Sequence, residues 1–158
     1  MVDFLVIGPI NSISYKNIFP HIYSGDIKVG YNTITEFVGG GVGDVTWFST
    51  FEVKKDMLQF TSRYEEEKYR KYDNYDAIDV KYNDIPYDYE GQMGVPLSFL
   101  KILNRNQFEI VGIAKDTNIG DVSVFGEARY IDEGHKKFRG MVLDGKALFT
   151  RILIIKRR

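Results

Sequence analysis

The run Phe4-Leu5-Val6-Ile7, closed at once by Gly8-Pro9, constrains this chain more than any other feature. Four apolar residues without polar alternation suit a strand covered on both faces, and Gly-Pro forces the chain to turn directly after it. The next stretch, NSISYKNIFPHI, places Ile13, Ile18 and Phe19 on one helical stripe with Ser12 available as its cap. Pro20 is expected to end or kink that helix. Strand, short turn and helix make half of a parallel βαβ unit, so the chain opens as an α/β protein.

Beyond a turn at Ser24-Gly25-Asp26, IKVGY (27–31) reads as a second strand and VTWFSTFEV (45–53) as a third. FVGGGVGD (37–44) lies between them. A dinucleotide fingerprint needs a helix after its glycines. Here a strand follows, so a mobile hairpin loop is the preferred reading over a phosphate cradle. The second and third strands then form an antiparallel hairpin. From Lys54 to Gly91 the charge rises and periodicity fades, with a short helix expected around 63–72. VPLSFLKILN (95–104) reads as a short helix with Pro96 in its first turn, and QFEIVGIA (107–114) and VSVFGEARYI (122–131) as strands. Asp144-Gly145 between two apolar runs is a strong hairpin signal, because both central residues of a tight turn take positive φ.

Several chemistries lack their residues. The chain of 158 residues carries a net charge of −1 and no cysteine, so it offers no global basic field and no thiolate metal site. Its two histidines, His21 and His135, make a structural zinc site unexpected, and His135 in DEGHKKF reads as part of a solvated turn. No metal site is expected. No apolar run reaches the roughly 20 residues that span a bilayer, and MVDFLVIG lacks the basic start of a signal peptide. A soluble, cytoplasmic protein is the expectation, with no membrane partner.

Aromatic residues make up 15% of the chain, and seven of its eleven tyrosines fall between Tyr64 and Tyr89. Residues 62–94 interleave them with Arg63, Lys68, Arg70 and Lys71. Flat rings and phosphate-reaching cations together serve nucleic-acid surfaces. An irregular layer with tyrosines half-packed on the core explains the same composition, and Glu65-Glu66-Glu67 argues against a plain phosphate track. Both readings stand at this point.

FLVIGPINSISYKNIFPHI and IKVGYN, then WFSTF, KYDNYDAIDV, DIPYDYEGQMGVPLSFLKILNRNQFEIVGI and a terminal RILII, occur in one order across roughly residues 4–155. In that order they resemble the adenine-specific DNA methyltransferases of the EcoRI modification-enzyme family. In that family a glycine-rich S-adenosylmethionine loop and a catalytic (Asp/Asn)-Pro-Pro-(Phe/Tyr) motif precede the strand that resembles FLVIG. This chain has only Pro9, Pro20, Pro86 and Pro96, and hence no Pro-Pro. The resemblance therefore implies the C-terminal half of such an enzyme. Residues 1–53 would be the C-terminal part of a Rossmann-like sheet with an antiparallel edge hairpin. Residues 54–158 would be an α+β target-recognition region packed on it.

The implied function is the DNA-recognition portion of a site-specific adenine-N6 methyltransferase of a restriction–modification system. A non-catalytic DNA- or subunit-binding module is the alternative. Methylating N6 requires flipping the adenine from the duplex, and the missing motif would hold the amino group against the sulfonium methyl. Such positioning can be worth about 7–11 kcal/mol, so the chain alone is expected to be inactive and not to bind S-adenosylmethionine. No catalytic residue is assigned. Asn11 and Trp47 are candidates for the active-site edge, against a turn-capping asparagine and an ordinary core tryptophan. Lys16, Arg63, Lys68, Arg70, Lys71, Tyr72, Asn74 and Tyr75 are candidates for DNA binding. Within KYDNYDAIDV, Asn74 could read an adenine edge, and Lys71 a guanine or a phosphate. Double-stranded DNA is the expected partner. The missing half, or a second copy, is expected at the edge of the 3–8 strand.

Overall fold

The computed structural model describes residues 2–32, 34–52, 58–114 and 140–158. The expected strand at 122–131 and the turn around His135 lie outside the described residues. The chain divides into two compact units. One comprises Met1–Met57 with Leu100–Leu103, and the other Leu58–Phe99 with Asn104–Arg158.

The first unit is built on β1 (Leu5–Pro9), β2 (Lys28–Val29), β3 (Ile34–Phe37) and β4 (Gly40–Ser49). The ten-residue β4 is the spine: β1, β2 and β3 all pair with it, and all antiparallel. This corrects the expected parallel βαβ opening. β1 stands at the edge of the sheet, and its apolar side chains stay largely in solvent, with Leu5 55%, Val6 48% and Ile7 39% exposed. An unalternating apolar run says that both faces suit an apolar environment; it does not say what supplies one.

The expected helix over 12–19 is also replaced. A 3-10 helix covers Ile10–Ser14 without a side-chain cap, and α1 covers only Phe19–Ser24. Pro20 sits in the first turn of α1 and so begins the helix instead of ending it. The fixed φ and missing N–H of proline suit a first turn as well as a stop. Ile13, Phe19, Ile22, Ile27, Val29 and Phe48, with Leu100, Ile102 and Leu103, are buried apolar residues of this unit. The glycine run is part of β4, and its open turn falls one step earlier, at Val38-Gly39, where Gly39 takes φ +105°.

The second unit is a five-stranded sheet in the order β5 (Arg70–Lys71), β6 (Ala77–Asp79), β7 (Gln92–Pro96), β11 (Arg151–Lys156) and β8 (Phe108–Ala114). β6 and β7 are parallel, and the other pairings are antiparallel. β11 is flanked by β7 and β8, which explains why RILII reads as a continuous apolar run: Ile152, Leu153 and Ile154 are all fully buried. Phe60, Phe99 and Phe108 pack together as tilted and edge-on rings 5.4–6.2 Å apart. A separate cluster joins Tyr72, Tyr75, Ala77, Ala114, Met141 and Leu153.

The expected helix at 63–72 is a 3-10 turn at Glu66–Lys68 followed by β5, and that at 95–104 is β7 followed by a 3-10 helix at Leu97–Lys101. The hairpin of β9 (Val142–Leu143) and β10 (Lys146–Ala147) forms where Asp144-Gly145 predicts it, with φ of +50° and +72° at the two turn residues.

Candidate nucleic-acid interface

Residues 69–75 lie against the β9–β10 hairpin, and a set of polar contacts holds the two together. Asn74 is fully buried. Its Nδ2 donates to the Gly140 carbonyl at 2.8 Å, and its Oδ1 accepts from Val142 N at 2.8 Å. Asp73 N donates to the Val142 carbonyl (2.8 Å), and its carboxylate accepts from Gly145 N (2.7 Å). Arg70 forms an ion pair with Asp144. Asn74 is thus doubly engaged with main chain, so its expected placement as an exposed base-reading side chain is corrected. A local sequence window could not show partners that lie 66 and 68 residues away.

Tyr72 and Tyr75 are also buried, each 2% exposed, and not on the surface. Tyr72 Oη donates to Asp79 Oδ1 at 2.6 Å, and Arg151 Nε lies 3.3 Å from the same oxygen. Burial, followed by the Asp79 contact, pushes the Tyr72 phenol well above its ordinary range. The ring lies directly over Gly94, where a Cβ would collide with it. Tyr64 stacks on Tyr69 (5.5 Å, 18°) and meets Tyr89 at 4.5 Å. The tyrosine-rich stretch therefore does contribute a packed layer.

The cations of that stretch have a different placement. Arg63, Lys68, Arg70 and Lys71 are exposed. Lys68 Nζ sits 2.5 Å from Asp84 Oδ1 and 5.7 Å from the centre of the Tyr69 ring. The Asp84 contact raises the lysine above its usual pKa. Lys71 lies on β5 across from Ile78.

In the first unit, Asn11 is exposed in the 3-10 helix after β1, and its carbonyl accepts from Ser14 Oγ (2.8 Å). Lys16 is exposed in the turn before α1, not on a helix as expected. Trp47 is half-buried on β4, opposite Ile7 on β1. It also presses on Gly30, whose absent Cβ leaves it room and whose N–H donates to its carbonyl at 2.7 Å. A cavity of about 380 Å³, almost wholly apolar, opens beside β1 and is lined by Phe4, Val6, Gly8, Ile18, Ile27 and Phe48.

Sequence reasoning passed over the Asp79–Arg151 pair and the polar turn at residues 104–107. The signal for the turn was present: Asn-Arg-Asn-Gln interrupts two apolar runs. Among the described residues no group of histidine, cysteine, aspartate and glutamate side chains could hold a metal ion, and no helix is long and apolar enough to cross a membrane. The glycines 39–43 lie in a turn and strand with no helix after them, and a Cβ at Gly39, Gly40 or Gly43 would meet nothing within 4 Å. That arrangement provides neither a cradle nor a helix N-terminus.

The family described as adenine-specific methyltransferase EcoRI matches residues 36–158. The type II methyltransferase M.EcoRI of Escherichia coli is 35% identical over 155 aligned residues, covering 80% of this chain and 48% of that protein. M.MpnI of Mycoplasma pneumoniae is 34% identical, covering 74% of this chain and 37% of its own. M.MgeORF184P of Mycoplasma genitalium is 31% identical, covering 69% and 44%. The chain thus spans about half, or less, of the length of these relatives. No solved structure matches it.

Proposed function

The chain belongs to the EcoRI family of adenine-specific methyltransferases, and from that membership we propose that it forms the DNA-recognition portion of a site-specific adenine-N6 methyltransferase of a restriction–modification system. The observation that carries this reading is the extent of the family match. It takes in every residue from 36 to 158, including all of the second unit, in a chain that holds no Pro-Pro dipeptide. In this reading the second unit recognises double-stranded DNA. The first contributes to the methyltransferase sheet, with Asn11 and Trp47 near the active-site edge and Lys16 directed to a DNA phosphate. The exposed Arg63, Lys68, Arg70 and Lys71 meet phosphates or base edges, while Tyr72, Asn74 and Tyr75 hold the scaffold that presents them. S-adenosylmethionine belongs to the complete enzyme, which acts in the cytoplasm.

Adenine N6 is reached only after the base leaves the stack. Binding and bending the duplex is work for the recognition portion, and holding the amino group is work for the catalytic motif. The chain alone is therefore expected to transfer no methyl group, and transfer is expected when it is mixed with the part of M.EcoRI that it does not match. Labelled S-adenosylmethionine and random-sequence duplex provide the assay. Turnover by the chain alone would refute its assignment as the recognition portion.

A second reading, a module that binds another polypeptide, is favoured by β1. An edge strand with exposed Leu5, Val6 and Ile7 beside an apolar cavity is a template for a further strand. In the complete enzyme that strand would come from the remaining methyltransferase fold.

A further inference from the structure

One positive patch among the described residues is used by neither the sequence motifs nor the proposed function. It lies where β11 leaves the sheet beside the turn at residues 104–107. The turn is built rigidly. Asn104 is fully buried; its Nδ2 donates to the Leu58 carbonyl (3.1 Å), and its Oδ1 accepts from Asn106 N (3.0 Å). The Gln107 amide clamps Phe60 from both sides, accepting from its N–H and donating to its carbonyl, each at 2.9 Å. Arg105 is exposed on this turn, and partial burial of its guanidinium holds its pKa below the usual arginine range. Arg157 is fixed against it twice: its N–H donates to the Gln107 carbonyl at 2.7 Å, and its Nη1 donates to the Arg105 carbonyl at 2.8 Å. Lys156 and Arg158 extend the patch. Glu90 accepts from Lys156 Nζ at 2.5 Å, and its carboxyl is held below the usual range by that contact first and by the Arg158 charge after it. Asp88 also acts on Glu90, and Glu109 stands across from Ile155.

We propose that the turn at residues 104–107 and the end of β11 form a contact for the DNA sugar–phosphate backbone, with Arg105 and Arg157 as its central cations. The proposal rests on the DNA-directed reading given above. Arg157, its guanidinium anchored to the main-chain carbonyl of Arg105, sets planar donors beside that exposed arginine on one short turn, an arrangement that suits phosphate oxygens. The chain's net charge of −1 supplies no general attraction, so binding depends on such a local cluster. Phosphate contacts set register and orientation on the duplex without reading sequence.

Salt dependence of binding by the 158-residue chain tests the proposal, with fluorescent duplexes of random sequence and duplexes selected from a random pool. Each phosphate contact contributes about 0.9 to the slope of log affinity against log salt. The double variant R105Q/R157Q is expected to flatten the slope by nearly two. Between about 50 and about 200 mM salt, the wild type should then lose about twelvefold more affinity than the variant. Selected and random duplexes should weaken alike. R105K/R157K should keep the slope if charge is the agent, whereas a merely structural role for the guanidinium groups would not be rescued. K28Q, in the other unit, should leave the slope unchanged. Sequence-specific binding with an unaltered slope in R105Q/R157Q would overturn the phosphate contact alone. Binding that ignores sequence but loses slope in the double variant would uphold the contact and refute the recognition reading. No retention of any duplex by the wild type would overturn both.

Discussion

Replacing Asn74 by alanine should destabilise the second unit instead of altering base selection. The side chain is fully buried and closes two hydrogen bonds of 2.8 Å to the main chain of residues 140 and 142. Alanine removes both partners and leaves a buried carbonyl oxygen and a buried N–H without these bonds. An orphaned buried group costs about 1–3 kcal/mol. The Asp73 N–H still reaches the Val142 carbonyl, so the hairpin stays near its place and water relieves part of the loss. A net cost of about 2–4 kcal/mol follows. With a urea slope of about 2 kcal/mol per molar, the midpoint should fall by about 1–2 M. Near-ultraviolet dichroism reports the event, because Tyr72 and Tyr75 belong to the same buried cluster. Asn74→Asp, which keeps an acceptor for Val142 N but sets a carboxylate against the Gly140 carbonyl, should cost at least as much. Lys71→Ala, at an exposed position, should move the midpoint by less than about 0.5 kcal/mol equivalent. A midpoint unchanged by Asn74→Ala, accompanied by lost discrimination between duplexes, would refute this account and restore Asn74 as a base reader.

Gly145→Ala should cost about 1–2 kcal/mol, since its φ of +72° is a conformation that a Cβ opposes; equilibrium denaturation measures it. The Tyr72 phenol has its pKa raised by burial and by Asp79. The stability this represents is complete below the ordinary tyrosine pKa of about 10 and is lost above it, by about 1.4 kcal/mol per pH unit. Unfolding measured from neutral to alkaline pH should show that decline, and Tyr72→Phe should reduce it. Leu5→Lys with Ile7→Lys should abolish self-association of the isolated chain, which sedimentation velocity detects as a shift from dimer or larger species to monomer. A wild type that stays monomeric at high concentration would refute the role given to the β1 edge.

Local turn chemistry made the Asp144-Gly145 hairpin legible, since two adjacent positive φ values narrow the residue choice to a few. Apolar length did the same for β8, whose run at 107–114 reads as a strand; the run after Asp144-Gly145 reads as one hairpin arm, whereas it divides into β10 and β11. The opening was misread for a physical reason. An unalternating apolar strand fits the middle of a parallel sheet, but it equally fits an edge strand with exposed faces, as β1 is. Pro20 carries the same ambiguity between a helix start and a helix stop. Strand direction and cover are tertiary properties, and local composition does not encode them.

The candidate site was legible in its residue types and not in their orientation. Tyr69, Tyr72 and Tyr75 recur every third residue and are buried at 8%, 2% and 2% exposure, while Arg70 and Lys71 between the first two are exposed. A spacing of three belongs to neither the strand period of two nor the helix period of 3.6, so the stretch passes for irregular. Its inward set is also polar by name: three phenols and an asparagine whose amide completes main-chain hydrogen bonds. A tyrosine offers an apolar ring to the core and a hydroxyl to a partner such as Asp79, so an aromatic-rich polar segment can pack and present charge at once. The consequence is a division by position within one heptapeptide. Substitution at 71 is separable from folding and can report on DNA, whereas substitution at 70 also breaks the ion pair with Asp144, and substitutions at 69, 72, 74 and 75 report on the scaffold first.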